Sequence, residues 1–190
     1  MLRDDMSTPA IQPWRALSGA PSSAQCADHP DECATFYFEH YAPKVVAYLT
    51  AIGRSRDDAE EVMQEAFCYF FDELRARTAI AHPRAWIFAV ARLRMLKRLA
   101  YKRRELPLQD AIATDPSVEY DRGPKADDEV LRRERHASLR RVWPTLSDME
   151  RECLVLRAQG LKLHEIGHVI GKKKQRVYEV ITRTFDKFRE

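Results

Sequence analysis

The amino-acid sequence predicts an all-α fold made of two small helical domains. Its 190 residues include only 6 glycines, and 32% of them are charged, against about 25% in a typical globular domain. Apolar residues make up 45% of the chain and recur at three- and four-residue steps, which is the spacing of amphipathic helices. This length and composition allow a separate core in each of two small domains.

The N-terminal segment, residues 1–33, is predicted to be a disordered tail. It contains four prolines and several serines and lacks a periodic apolar pattern. The four cysteines of the chain (Cys26, Cys33, Cys68 and Cys153) form no C-x-x-C pair, so we expect free thiols, with Cys68 and Cys153 as core residues. An alternative for Cys26, His29 and Cys33 is a metal site, although a fourth ligand is not evident.

The first helical domain is predicted over residues 34–104. A helix beginning at Thr35 ends near Gly53, and a second has apolar residues at helical steps from Met63 to Leu74, with acidic residues on its outer side. A third helix begins near Pro83, which suits the first turn of a helix. We expect it to direct inward the residues Trp86, Ala89, Val90, Leu93 and Leu96.

A linker is predicted over residues 105–129, where three prolines, one glycine and eight acids cluster. A second helical domain follows over residues 130–190. In it, Ser147 and Glu150 have the spacing of a capping box, and Gly160 ends the helix that the box begins.

The C-terminal sequence has the spacing of a helix-turn-helix. Counted from Leu163 as position one, glycine stands at positions five and nine, where a small residue lets two helices approach and a glycine takes the turn. The apolar positions are Ile166, Ile170, Val177 and Val180. The second helix then presents a polar, mostly basic face to a DNA major groove. A purely structural helical hairpin is the alternative.

The same stretch contains a literal H-E-x-x-H motif at His164, Glu165 and His168, which raises the alternative of a zinc protease. The extended form of that motif needs a third histidine where this chain has Lys174. Glu165 and Ile166 are equally explained as residues of the first helix of a helix-turn-helix, which requires no metal.

Charge is segregated along the chain. Residues 54–73 hold seven acids and two bases, whereas residues 74–104 hold ten bases and no acid. This pattern is typical of a protein that contacts both a basic protein partner and an anionic polymer. Solvated helix faces are the alternative for either run alone.

Three motifs in order resemble the sigma-70 family of bacterial transcription initiation factors, specifically the extracytoplasmic-function (ECF) type. Residues 57–67 are similar to the D-A-E-D-L-V-Q-E-V-F signature of region 2, and residues 83–92 to its W-L-x-x-I-A-R helix. Residues 146–171 are similar to region 4. The sequence departs from the family at Leu93, where asparagine is usual, at Lys97, where aspartate is frequent, and over residues 172–179.

The resemblance implies three binding surfaces. The core-polymerase surface, which would contact the β′ clamp helices, comprises Asp57, Asp58, Glu60, Glu61, Gln64 and Glu65. The −10 surface comprises Arg84, Trp86, Arg92, Arg94, Lys97 and Arg98. The −35 surface comprises Lys172, Lys173, Lys174, Gln175, Arg176, Tyr178, Glu179 and Arg183. Contact with the polymerase β flap and with an anti-sigma factor is also implied.

The predicted function is therefore that of an ECF-type sigma factor, which binds RNA polymerase core and promoter DNA and is not an enzyme. A degenerate adaptor that holds polymerase without reading −35 DNA is the alternative among binding proteins. No cofactor or metal is expected. The N-terminus lacks the apolar core of a signal peptide, and no apolar run of about 18 residues exists, so a cytoplasmic protein without membrane contact is expected.

Overall fold

The computed structural model describes residue 21 and residues 23–53, 55–105 and 139–189, and these residues form helices and short connections without any strand. The predicted all-α class is thus confirmed. The helices are α1 (Ser23–Asp28), α2 (Pro30–Gly53), α3 (Arg56–Arg75), α4 (Pro83–Glu105), α5 (Asp148–Ala158), α6 (Leu163–Ile170) and α7 (Lys174–Lys187). A 3-10 turn, Trp143–Thr145, precedes α5.

Helices α2, α3 and α4 pack around one apolar core. Tyr48, Phe70 and Phe88 are fully buried in it, and the rings of Tyr48 and Phe88 lie 5.6 Å apart. Ser55 caps α3, because its hydroxyl accepts a hydrogen bond from the Asp58 N–H. The predicted inner face of α3 is the one buried, while Asp57 and Glu61 are exposed and Asp58 is buried.

The buried face of α4 agrees with the predicted one only in part, since Trp86 and Val90 are partly buried and pack against the core as expected. Leu93 and Leu96 are exposed, at 54% and 40%, whereas Ile87, Phe88 and Met95 are fully buried. The helix is therefore rotated relative to the prediction. Apolar residues occur on most sides of α4, so periodicity did not single out the face that meets α2 and α3.

The N-terminal residues are more ordered than predicted from the point where α1 begins. Cys26 and Cys33 form a disulfide that joins α1 to α2, and both residues are buried. The Tyr37 hydroxyl donates to the Pro21 carbonyl at 3.3 Å, which holds the chain before α1 against α2. The predicted tail therefore ends before residue 33, and the prediction of four free thiols is wrong for this pair. The turn between two helices brought together cysteines seven residues apart.

The other two cysteines are free thiols, as expected. Cys153 is fully buried, and its burial raises the pKa of the thiol to about 11. Cys68 is exposed, so its predicted place in the core is wrong.

The three C-terminal helices pack on a smaller set of apolar side chains, of which Leu156, Leu161, Ile166 and Val177 are fully buried. The predicted capping box is present: Ser147 accepts from the Glu150 N–H, and the Glu150 carboxylate accepts from the Ser147 N–H. Gly160 follows α5 with φ +86°, a conformation that glycine adopts without strain.

The two groups of helices contact one another through α4 with α6 and α2 with α5. Almost all of the predicted linker, residues 106–129, lies outside the described residues, and so do residues 130–138. The domain boundaries stay a prediction. Within the described part of the chain, no helix combines the length and apolar character needed to cross a bilayer.

Candidate nucleic-acid interface

Helices α6 and α7 form the helix-turn-helix that the spacing predicted. Gly171 has φ +67°, the left-handed conformation that ends α6. A Cβ on Gly167 would lie 2.5 Å from the Lys172 carbonyl oxygen, so only glycine fits there without a backbone shift. Buried Ile166, Val177 and Val180 fix the second helix against the first.

The outer face of α7 and the turn before it are open to solvent. All eight residues of the −35 surface are exposed: Lys172, Lys173, Lys174, Gln175, Arg176, Tyr178, Glu179 and Arg183. Arg176 and Glu179 form an ion pair at 3.3 Å, and Arg183 lies 3.9 Å from Glu150. The first three lysines precede or begin the helix, where N–H groups without helical partners add to the positive field. The surface therefore has the charge and accessibility for contact with a polyanion.

The acidic face of α3 and one basic side of α4 neutralise each other within the molecule. Asp58 forms an ion pair with Arg98 at 2.9 Å and accepts a hydrogen bond from Lys102 at 2.5 Å. Arg98 also pairs with Glu61 at 2.5 Å, and Arg94 lies 3.9 Å from Glu65. We call this set of ion pairs the α3–α4 ladder. The opposite charges of these two segments are thus partly internal partners, which the charge count alone did not reveal.

The residues of the predicted core-polymerase surface differ in exposure, because some of them take part in the α3–α4 ladder. Asp58 is buried and Glu65 partly buried, whereas Asp57, Glu61 and Gln64 are exposed. Hydrogen bonds from Lys102 and Ser55 and the charge of Arg98 outweigh burial and lower the pKa of Asp58. An approaching basic partner therefore meets the outer carboxylates first.

The other side of α4 faces the C-terminal helices. Arg84 makes a two-pronged ion pair with Glu165 of α6, in which Nε and Oε1 are 2.8 Å apart and Nη2 bonds to Oε2. Arg92 pairs in the same way with Glu152 of α5, at 2.6 and 3.2 Å. The hydroxyl of fully buried Tyr48 donates to the same Glu152 at 2.7 Å. We call these contacts the interdomain clasp.

Burial and ion pairing have opposite effects on the pKa of Glu165 in the clasp. Desolvation by itself raises the pKa of Glu165, but hydrogen bonds from Arg84 and from the Lys162 N–H outweigh it and lower that pKa. Burial, together with the charge of Glu152, raises the pKa of Tyr48 well above its ordinary value. Glu165 is therefore held as a carboxylate, and Glu152 and Glu165 each pair with a guanidinium from the other group of helices.

The predicted −10 residues consequently lie in four environments. Arg84 and Arg92 belong to the clasp, and Arg94 and Arg98 belong to the α3–α4 ladder. Lys97 is exposed, and partly buried Trp86 packs 5.8 Å from Phe70 between ring centres. The structure does not gather these six side chains on one open surface.

The clasp residues Tyr48, Glu152 and Glu165 were not among the predicted site residues. Periodicity places each on a helix face, but it cannot report a contact between residues 60 to 104 positions apart in sequence. Charge composition could have indicated two of these residues, because Glu152 and Glu165 are acidic residues on helices of a mostly basic domain.

The H-E-x-x-H motif has a structural explanation. Glu165, which would be the general base of a zinc protease, has both oxygens engaged by Arg84, and Oε2 also accepts from the Lys162 N–H at 2.7 Å. Its carboxylate therefore fixes the start of α6 and the contact with α4. Among the described residues, no three His, Cys, Asp or Glu side chains are already arranged to hold a metal ion.

Comparison with known proteins agrees with the motifs. The family described as sigma-70 region 2 matches residues 37–105, a segment that includes α3 and α4. The resemblance to the ECF type is likewise confirmed. The ECF RNA polymerase sigma factor RpoE of Cereibacter sphaeroides is 36% identical over 87 residues, which cover 42% of this chain and 45% of that protein.

The fold as a whole has a solved counterpart. The chain is similar to CnrH in a structure of CnrH in complex with the cytosolic domain of CnrY, with a TM-score of 0.54 and 21% identity. That similarity covers 87% of this chain and 91% of CnrH and concerns the fold. The chain spans a little under half of the length of the curated relative that it matches.

Proposed function

We propose that this protein is an ECF-type sigma factor that binds RNA polymerase core and directs it to promoter DNA. One observation carries the proposal: a sigma-70 region 2 segment and a helix-turn-helix with an exposed basic face occur in one chain. The first supplies a surface for polymerase and the second a surface for duplex DNA. The protein itself makes or breaks no bond in this role, and its site of action is the cytoplasm.

The partner that we propose for each surface follows from the charges that the surface exposes. The outer carboxylates of α3 bind the clamp helices of the polymerase, and the exposed face of α7 contacts −35 DNA. Arg84 and Arg92 reach −10 DNA when phosphates replace the carboxylates of the clasp, since an arginine fork matches either anion. The polymerase β flap and an anti-sigma factor are further partners in this proposal.

Transcription with core polymerase on fragments of the source genome tests the function directly. We expect run-off products from a limited set of fragments when the protein is present. Polymerase that binds the protein yet gives no new products would instead support the degenerate adaptor. Failure of the protein to bind core polymerase would refute both.

Asp57 gives the sharpest test of the polymerase surface because no ion pair within the described residues involves it, unlike Glu61. Asp57→Lys should weaken core binding by roughly fivefold to 150-fold, because the lost and reversed contact contributes about 1–3 kcal/mol. Asp72→Lys makes the same charge change at the far end of α3 and is the control. Equal affinity of both variants for core polymerase would exclude this face.

The −35 surface is tested by comparing lysines with Arg176. Lys173→Ala should weaken binding to all duplexes alike and lower the salt dependence, because phosphate contacts carry no sequence information. Arg176→Ala should cost about 1–3 kcal/mol on a selected sequence and little on random DNA, as expected of a base contact. A binding-site selection with the full chain supplies the sequence. Recovery of no enriched motif would count against −35 reading.

A further inference from the structure

A buried disulfide ties the short helix α1 to the start of α2. Helix α1 has six residues, and only His29 separates it from α2. The Cα atoms of Cys26 and Cys33 lie 5.2 Å apart, whereas seven residues of a continuous helix span about 10.5 Å. The chain therefore bends between the two cysteines. Pro30, the first residue of α2, accounts for the bend because a proline breaks a helix that precedes it.

The chain before α2 covers apolar side chains of the first core. Cys26 and Cys33 are each 1% exposed and belong to the same hydrophobic cluster as Phe70 of α3. The Tyr37 hydroxyl donates to the carbonyl of Pro21, and the Tyr37 ring packs edge-on against Phe70, with 5.4 Å between ring centres. Helix α1 also contacts α3 directly. We call Pro21 and α1 the N-terminal cover, since together they shield Tyr37.

The N-terminal cover depends on the disulfide far more than α2 does. Isolated helices shorter than about 12–15 residues are marginal in water, so the six residues of α1 do not hold their own conformation. The hydrogen bond from Tyr37 is a single neutral contact, which contributes little by itself. Helix α2, by contrast, is anchored by buried Val45, Tyr48 and Leu49. Loss of the bond therefore releases the cover and leaves α2 in place.

A cytoplasmic location makes a permanent disulfide unexpected, and this step rests on the proposed function. Disulfides of cytosolic proteins are usually transient, and they take part in catalysis or redox sensing. Both sulfurs of the pair are buried, so a reductant reaches them when α1 opens locally. Local opening of a short terminal element requires much less free energy than unfolding of the whole domain.

We propose that Cys26 and Cys33 form a redox switch, which fastens the N-terminal cover when oxidised and releases it when reduced by a dithiol protein of the thioredoxin class. One thiolate of the reductant attacks a sulfur of the pair and forms a mixed disulfide, and its second thiolate then displaces that sulfur. Two electrons and two protons pass to the pair, which becomes two thiols, while the reductant becomes a disulfide. Release uncovers Tyr37 and gives the reduced protein an apolar surface on α2.

Thiol counting on the folded full-length chain tests the chemistry. The oxidised protein is treated with thioredoxin and its reductase without denaturant, quenched in acid, and alkylated in denaturant for mass spectrometry. We expect two alkylated cysteines before the treatment and four after it, because Cys68 and Cys153 are free thiols in both states. Cys68→Ser removes a thiol outside the pair and is the control, and it should lower both counts by one.

Hydrogen exchange of the same samples measures release of the N-terminal cover. Reduction should accelerate exchange of the α1 amides by about tenfold or more and leave the buried part of α3 unchanged, because local opening does not unfold the domain. The double variant Cys26→Ser with Cys33→Ser should exchange like the reduced wild type under oxidising and reducing conditions. The two states of the wild type are compared without any variant, so a folding defect of the double variant does not affect that result.

Three results would overturn the proposal. Four free thiols after incubation with oxidised glutathione would show that the bond does not form. Resistance to thioredoxin without denaturant would make the bond a permanent structural link, and equal exchange of α1 in the two states would show that the cover does not depend on it. None of these measurements involves polymerase or DNA, so failure of the switch is distinguishable from failure of the sigma-factor function.

Discussion

Two glycines of the helix-turn-helix are required for different physical reasons. Gly167 is required because of space, since a Cβ there would lie 2.5 Å from a backbone oxygen, whereas Gly171 is required because of its φ of +67° with no atom near its Cβ position. We expect Gly167→Ala to destabilise the fold by about 1–3 kcal/mol through overpacking. Urea unfolding of the variant measures this. A change within about 0.5 kcal/mol, the range of ordinary surface substitutions, would show that the turn relaxes.

Substitutions of Gly171 should depend on the backbone preference of the new residue. Asparagine visits the left-handed region at low cost, whereas a β-branched residue does not. Gly171→Asn should therefore unfold close to the wild type, and Gly171→Val should be much less stable in the same urea titration. Similar stabilities of the two variants would contradict a requirement for positive φ.

Glu150 links the stability of the C-terminal helices to pH. Burial alone raises the pKa of its carboxyl, but the Lys187 ammonium and the N–H and hydroxyl of Ser147 outweigh burial and lower the pKa to about 2. Because the folded-state pKa is below the ordinary value, its contribution to stability is fully present above about pH 4.5 and is lost as the pH falls toward about 2.

The slope of stability against pH isolates this contribution. Between about pH 6 and pH 3, the free energy of unfolding should fall more steeply for the wild type than for Glu150→Gln, which cannot titrate at this position. Chemical denaturation at each pH gives both slopes. Parallel slopes would show that Glu150 has the same pKa in the folded and unfolded chains.

At the scale of the element, the α3–α4 ladder determines how the two most charged helices of the chain pack. Asp58 is its central residue because it is buried, accepts a hydrogen bond from Lys102 and forms an ion pair with Arg98. Asp58→Asn should destabilise the fold by about 1–2 kcal/mol, since hydrogen bonds to charged groups contribute more than neutral ones. Asp57→Asn, one residue earlier and exposed, should be nearly neutral. Equal unfolding free energies for the two variants would exclude the ladder as a stabilising element.

The helices differ in how far their sequences predicted them. The stripe from Met63 to Leu74 fixed both the existence and the inner face of α3, because its polar residues were confined to one side. The face of α4 was predicted only in part: Trp86 and Val90 pack against the core, but Leu93 and Leu96 are exposed. Helix α1 was missed because it is short and depends on the Cys26–Cys33 bond rather than on periodicity.

In the candidate site, local structure was predictable from the sequence, whereas contacts between residues far apart in the chain were not. The helix-turn-helix was predictable because glycine at two fixed positions encodes its turn, and its exposed face followed from the buried one. The partners of Arg84 and Arg92 were not predictable, since a basic helix indicates an anion without saying whether it is DNA or a glutamate elsewhere in the chain.

At the scale of the whole molecule, the clasp adds a small number of charged contacts to apolar packing, because buried residues of both groups of helices belong to one hydrophobic cluster. Its ion pairs are partly buried, with side-chain exposures of 27% for Arg92 and 16% for Glu152. Removal of one partner from such a pair strongly destabilises the fold, because the remaining charge has no compensating charge. We therefore expect the arrangement to be stable when intact and to be weakened when an external anion replaces the glutamates.

A double-mutant cycle tests whether the clasp is an energetic unit. Glu152→Gln and Arg92→Gln should each destabilise the closed arrangement, and their combination should cost less than the sum, with a coupling of about 1–3 kcal/mol. Arg84→Gln is the control partner for Glu152→Gln. It lies eight residues from Arg92 on α4, about 12 Å along the helix axis, and pairs with a different glutamate, so those two effects should add within about 0.5 kcal/mol. Urea unfolding supplies the energies, and energy transfer between labels on α3 and α7 reports separation of the two groups. Additive energies for Glu152 with Arg92, together with an unchanged label distance, would show that apolar packing alone holds the two groups together.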